Sequence, residues 1–252
     1  MPATIELKLQ PQRQIHPDTR QLHGLACALF EGADSASHTG QEKPFTVWPL
    51  RPGGPPAEQA WWLRASWLAC AAPPERIETV PWVRLGTQPL RILGVERCEA
   101  GHAQLAGGPV LREVTLAFHS PVFFSRNGTD DVSPDPRLIL GSYRRRWNAG
   151  LGEGHALSIG DDAWRDTHRW VRLAGYELRT ESMDGGRGRS RIGFTGTATL
   201  YLDRSAPPEA GVVFSALVRF APYCGTGALT THGFGATELA GSVLAAERPG
   251  HG

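Results

Sequence analysis

Two G-x-G pairs, Gly225/Gly227 and Gly233/Gly235, fall within one stretch, Phe220–Leu239, with His232 between them. An apolar run, Gly211–Phe220, precedes the stretch, and a strand-like run, Phe234–Leu239, ends it. Glycine adopts positive φ readily and lets a ligand or another backbone come close. Successive N–H groups in such a loop can point one way and form an anion-binding nest. Two readings follow: a cradle for a phosphate backbone, or a tight helix-to-strand turn whose second glycine pair lies inside a strand.

The charge pattern bears on the first reading. Formal net charge is +1, so the whole molecule is no polyanion magnet. Yet arginines cluster at Arg144, Arg145 and Arg146, at Arg165, Arg169 and Arg172, and at Arg187, Arg189 and Arg191. Lys8 and Lys43 are the only lysines. Local basic clusters on a near-neutral chain fit nucleic-acid contact at defined faces, and they fit solvated faces as well. Trp61, Trp62, Trp67 and Trp82 are able to stack on bases, but tryptophans in alternating runs more often face a core.

The chain has 252 residues, 40 % of them hydrophobic, enough for one large or two ordinary domains. No run reaches the ~18 apolar residues of a membrane helix, and the alternating N-terminus lacks the apolar core of a signal peptide. The expected location is cytoplasmic. Cys27, Cys70, Cys98 and Cys224 form no C-x-x-C pair, which argues against a zinc ribbon and for free thiols.

These residues need elements to position them. Thr4–Gln10 alternates as a strand, and Asp18 or Thr19 caps a helix running to about Glu31. Lys43–Leu50 and Gln59–Cys70 read as a hairpin, Pro73–Leu85 as a short helix, and Gln88–Glu99 as a strand. Arg112–Phe124 opens a second series as a strand, followed by a helix from Pro136. Trp170–Thr180 and Arg189–Leu202 form a hairpin, and Pro207–Tyr223 a long helix. The order β-α-β-β-α-β thus occurs twice. The fold class is α+β: two tandem ferredoxin-like domains, residues 1–110 and 111–252, with a C-terminal glycine-rich loop.

Four stretches, QLHGLACALF with SASHTGQEKPFTVWPL, LAFHSPVFF, PDPRLILGSYRRRWN and THGFGATEL, make the chain resemble the CRISPR-associated pre-crRNA-processing endoribonucleases of the RAMP superfamily. The resemblance implies tandem ferredoxin-like folds and cleavage of CRISPR repeat RNA. Its matching catalytic positions are His38 and Lys43. Attack by a ribose 2′-OH needs a base, an acid for the 5′-oxygen, and positive charge on the phosphorane. Histidine serves as acid or base, lysine as compact charge. No cofactor or metal is implied, and the products would be a 2′,3′-cyclic phosphate and a 5′-OH. Some members place a tyrosine on the first helix; the matching position here is Cys27, with His23 as a substitute. Gly225, Gly227, Gly233, Gly235 and the arginines at 144–146, 187, 189 and 191 are the expected RNA contacts. Effector-complex subunits are expected partners, with a monomer or homodimer as the assembly.

Two rivals stand beside this reading: a non-catalytic RAMP subunit that holds crRNA, and a small-molecule or metal-binding ferredoxin-like module. Incubation with labelled repeat RNA in EDTA separates them. Cleavage is the expected result, binding without cleavage favours the subunit, and no binding at moderate salt favours the module.

Overall fold

The computed structural model describes residues 1–31, 43–53, 60–184 and 190–241. His38, Arg187 and Arg189 lie outside them.

Alternation builds the first strand, β1 (Ala3–Pro11), whose Ile5, Leu7 and Leu9 turn inward. Helix α1 (Thr19–Phe30) covers them with Leu22, Leu25, Ala26 and Leu29. Asp18 caps it, its carboxylate accepting from the Gln21 amide at 2.7 Å. The remaining strands are β2 (Phe45–Val47), β3 (Arg51–Gly53), β4 (Ala60–Trp67), β5 (Trp82–Leu85) and β6 (Gln88–Glu99). They form an antiparallel sheet in the order β2-β4-β1-β6-β5, with β3 also paired to β4. A strand pair flanks the first strand on each side, the arrangement of a ferredoxin-like sheet.

One expectation fails here. The helix expected over Pro73–Leu85 is a single turn, α2 (Arg76–Thr79). Pro81 follows it; its ring fixes φ and offers no N–H, so the helix cannot continue. Trp82–Leu85 instead pairs with Gln88–Arg91 across a turn at Gly86, where φ is +61°. Trp82 is 46 % exposed there, whereas Trp67 is buried and stacks on Phe30.

A short helix, α3 (His102–Ala106), leads into the second series. Its strands are β7 (Glu113–Val122), β8 (Phe124–Arg126), β9 (Thr129–Asp131), β10 (Val171–Asp184), β11 (Ser190–Leu202) and β12 (Thr237–Ala240). Its helices are α4 (Pro136–Leu151), α5 (Asp161–His168) and α6 (Pro208–Cys224). The sheet runs β10-β11-β7-β12, and β8 and β9 make a separate hairpin. Pro136 opens α4 behind an Asp135 cap. Tyr143 and Trp147 of α4 and Phe214 and Phe220 of α6 fill the core under this sheet. The chain is α+β, with two ferredoxin-like folds in tandem.

The two sheets are joined by specific contacts. The Thr46 hydroxyl donates to the Tyr223 carbonyl at 2.6 Å. Arg64 reaches across from β4 to Glu238 of β12 at 2.6 Å and lies over the buried Trp48 ring. His119 bonds the other Glu238 oxygen, and His119 with Arg64 holds that carboxyl down at about 2. On the far side Gly150 of α4 lies so close to the Leu68 carbonyl that a Cβ would collide with it, and the Cys70 amide donates to the Gly150 carbonyl at 2.8 Å. His102 is buried beside this contact, edge-on to Trp147 at 4.7 Å. Its Nε2 is buried with no hydrogen-bond partner among the described residues.

Burial first, then the chain's amino terminus and His155, depress the His102 imidazole from 6.5 to about 4. An unfolded chain takes up this proton near pH 6.5, and the folded one refuses it until about pH 4. The stability contributed by neutral His102 is therefore full above pH 6.5 and is lost as pH falls toward 4. Urea midpoints at pH 7, 6 and 5 should fall more steeply for the wild type than for His102→Gln. Equal slopes would show that His102 does not titrate on unfolding.

Candidate active site

The glycine loop leaves α6 at Gly225 and reaches β12 at Thr237. All four of its G-x-G glycines have positive φ, between 63° and 91°. The close approaches are as demanding as the dihedrals. A Cβ on Gly235 would collide with the Thr226 carbonyl, and one on Gly227 with the Phe123 carbonyl. Only glycine meets both conditions there. Gly233 and Gly235 precede β12 rather than lying in a strand, unlike the tight-turn reading of the sequence.

Most of the loop's amides are used inside the protein. Gly225 N–H bonds Ala221, Thr226 bonds Gly235, Ala228 bonds Phe123, and Gly235 bonds Pro121. The Gly227 amide meets the Ser142 hydroxyl at 3.3 Å. Helix α4 completes the clasp. Tyr143, fully buried, shares a 2.6 Å hydrogen bond with Thr226, which in turn meets Thr237 at 2.7 Å. Arg146, 8 % exposed, donates to the Gly227 carbonyl at 2.5 Å and the Gly225 carbonyl at 3.4 Å. Bonds of this charged, buried type contribute about 1.5–3 kcal/mol each. The first glycine pair is thus a backbone crossing locked onto α4. The loop's outer shoulder, Leu229–His232, is a 3-10 turn entered through Leu229 at φ 54°.

That shoulder faces the first half across a cleft of about 360 Å³. His23 and Lys43 line it from one side, and Arg145, Arg146 and residues 228–232 from the other. His23 stacks on His232 with ring centroids 3.9 Å apart and planes 7° apart. The His23 Nδ1 is 3.0 Å from the Thr231 carbonyl, so that nitrogen carries the proton. Its Nε2 then keeps its lone pair toward Cys27 Sγ at 3.4 Å. Burial and Glu31 push the Cys27 thiol up to about 11, so it remains protonated at neutral pH. Burial and then His23 hold His232 down at about 4, so it is neutral. Lys43 is ion-paired with Glu31 at 2.6 Å, and both side chains are largely covered. Glu31 sits at the C-terminal end of α1, where the helix dipole disfavours a carboxylate. The lysine offsets that cost, and the pair fixes the lysine at the cleft.

The other expected contacts separate in space. Arg144, Arg145 and Arg146 are consecutive on a helix, about 100° apart around its axis. Arg144 turns to the Ile159 carbonyl and Asp161, Arg146 inward to the loop, and only Arg145 is exposed. Arg191 pairs with Asp130 at 2.5 Å. The described end of the β10–β11 hairpin, Ser182–Asp184, borders a second hollow with Asp18, Leu22 and His232. His23, expected as a substitute for the helix tyrosine, lines the cleft, but its stack on His232 joins residues 209 positions apart and has no local signal.

No curated protein matches the chain. Residues 116–237 match the family model of the CRISPR-associated endoribonuclease Cas6. Among solved structures the chain is similar to a product complex of Cas6 (TTHB231), with TM-score 0.80, 26 % identity, and 95 % of this chain and 99 % of that one covered. It is similar to a product complex of Cas6 (TTHA0078), with TM-score 0.76, 29 % identity, and 94 % and 98 % covered. Thermus thermophilus Cas6 (TTHB231) shares the fold at TM-score 0.72 and 24 % identity, over 95 % and 98 %. The chain thus matches the Cas6 endoribonuclease model across residues 116–237 and is similar to Cas6 structures along nearly its whole length.

Proposed function

We propose that the protein cuts CRISPR repeat RNA by attack of a ribose 2′-OH on its own 3′-phosphate. The observation that carries this reading is the cleft itself. A lysine and a histidine from the first fold meet the glycine-loop shoulder and an exposed arginine from the second. Similar Cas6 structures include a product complex and a substrate mimic complex, which supports this reading.

The 2′-oxygen bonds to phosphorus, the bond from phosphorus to the 5′-oxygen breaks, and a 2′,3′-cyclic phosphate and a 5′-OH result. One base takes the 2′ proton and one acid supplies the 5′ proton. His38 is one of these. It lies in the chain between Glu31 and Lys43, the ion pair at the cleft. His23 is the other candidate, since its Nε2 lone pair is basic and the Cys27 thiol beside it is neutral. Lys43 and Arg145 place positive charge on the non-bridging oxygens as charge builds there. The nucleophile belongs to the substrate, so the scheme requires no metal. Arg187, Arg189 and the loop around Gly233 belong to the proposed RNA path, while Arg146, Gly225, Gly227 and Gly235 act by shaping it.

His38→Ala should slow single-turnover cleavage of a labelled repeat RNA at least ~100-fold, the usual worth of a general acid or base. Lys43→Ala should slow it ~10-fold or more with RNA binding weakened less. A His38→Ala protein that cuts as fast as wild type would remove this mechanism.

A further inference from the structure

A second groove, of about 250 Å³, adjoins the cleft and shares Arg145 and Ala228 with it. Arg126 and Arg137 line it as well, and among the described residues no carboxylate does. Arg137, Gly141 and Arg145 are spaced four apart, so they form one ridge of α4. Gly141, between the two arginines, also lines the groove, and its backbone packs close to the Trp164 ring. Arg126 approaches from the opposite wall, at the end of β8. It is held by the pairing of Phe124 with Asp131 and of Arg126 with Thr129. Asn127 at φ 49° and Gly128 at φ 79° close this hairpin. Positive φ at both central positions gives the tight turn that fixes strand register.

The neighbouring carboxylates are engaged elsewhere. Asp130 pairs with Arg191, Asp131 accepts from the Ser133 amide, and Asp135 caps α4. Among the described residues Arg126 and Arg137 form no ion pair. Arg126, Arg137 and Arg145 thus bring positive charge to one groove. The guanidinium fork matches two phosphate oxygens at once. Because Arg145 borders both spaces, an anion in the groove lies beside one in the cleft.

We infer that Arg126, Arg137 and Arg145 form a second phosphate subsite, which grips the backbone phosphate next to the one cut and so sets which linkage enters the cleft. This rests on the nuclease reading. The subsite makes RNA register a property of backbone spacing rather than of base identity.

The test uses repeat RNAs with a 2′-deoxy sugar at the cut site, each carrying one uncharged methylphosphonate at a different flanking linkage. Dissociation constants are measured for wild type, for the double variant Arg126→Gln/Arg137→Gln, and for Arg144→Gln as control. In the wild type and in Arg144→Gln, neutralising one adjacent linkage should weaken binding about 10-fold, the scale of one charge-assisted contact. In the double variant the same change should cost nothing further. Identical position profiles for wild type and double variant would overturn the subsite while leaving the nuclease reading intact. A wild-type protein that binds none of these RNAs would overturn the nuclease reading, and the subsite with it.

Discussion

A buried guanidinium under a glycine-rich crossing is the contact on which the rest of this structure depends. The crossing brings backbone against backbone at Gly227 and Gly235, where no side chain fits. Phe234, edge-on to Phe123 at 5.4 Å, gives the loop a buried apolar anchor. Arg146 adds a polar hold by donating to the Gly225 and Gly227 carbonyls, while Tyr143 ties Thr226 and Ser142 meets the Gly227 amide. All three come from one turn of α4, so the helix and the loop behave as one body. Losing Arg146 would leave buried carbonyls unsatisfied, each costing about 1–3 kcal/mol. The outer shoulder at residues 229–232 inherits its position from this clasp. Through the shoulder, so does the His232 ring on which His23 stacks.

The clasp also sets how the two folds border one cleft. The first fold offers the end of α1 and the start of β2, where Glu31 holds Lys43. The second offers the shoulder and Arg145. Joints between the folds include Thr46–Tyr223 and Arg64–Glu238. Glu238 stays ionised across the working pH range because His119 and Arg64 both bind its charged form. Surface pairs such as Arg165–Asp162, both groups well exposed, add little by comparison.

Much of this was legible in the residues. Alternation marked β1, β10 and β11, the Asp18 cap and Pro136 marked two helix starts, and the repeated order gave the tandem plan. The site was legible only in part. Three adjacent arginines read as one basic patch, but helix geometry sends them three ways. Four glycines read as a nest of free amides, but three of those amides are bonded within the protein. The Asn127–Gly128 pair was a turn signal in plain view, hidden by the polar stretch around it, and with it went Arg126. Pro81 carried the warning against a longer second helix. Contacts between distant residues, such as His23 with His232, leave no trace in local pattern.

The central claim is that both folds hold one and the same phosphate. The most direct measurement is a structure of the protein bound to a repeat RNA that lacks the 2′-hydroxyl at the cut site. The account predicts that the phosphate at the cut site sits within hydrogen-bonding reach of Lys43 Nζ and against the shoulder at residues 229–232. An RNA whose cut-site phosphate lies away from this cleft, on either fold alone, would contradict it.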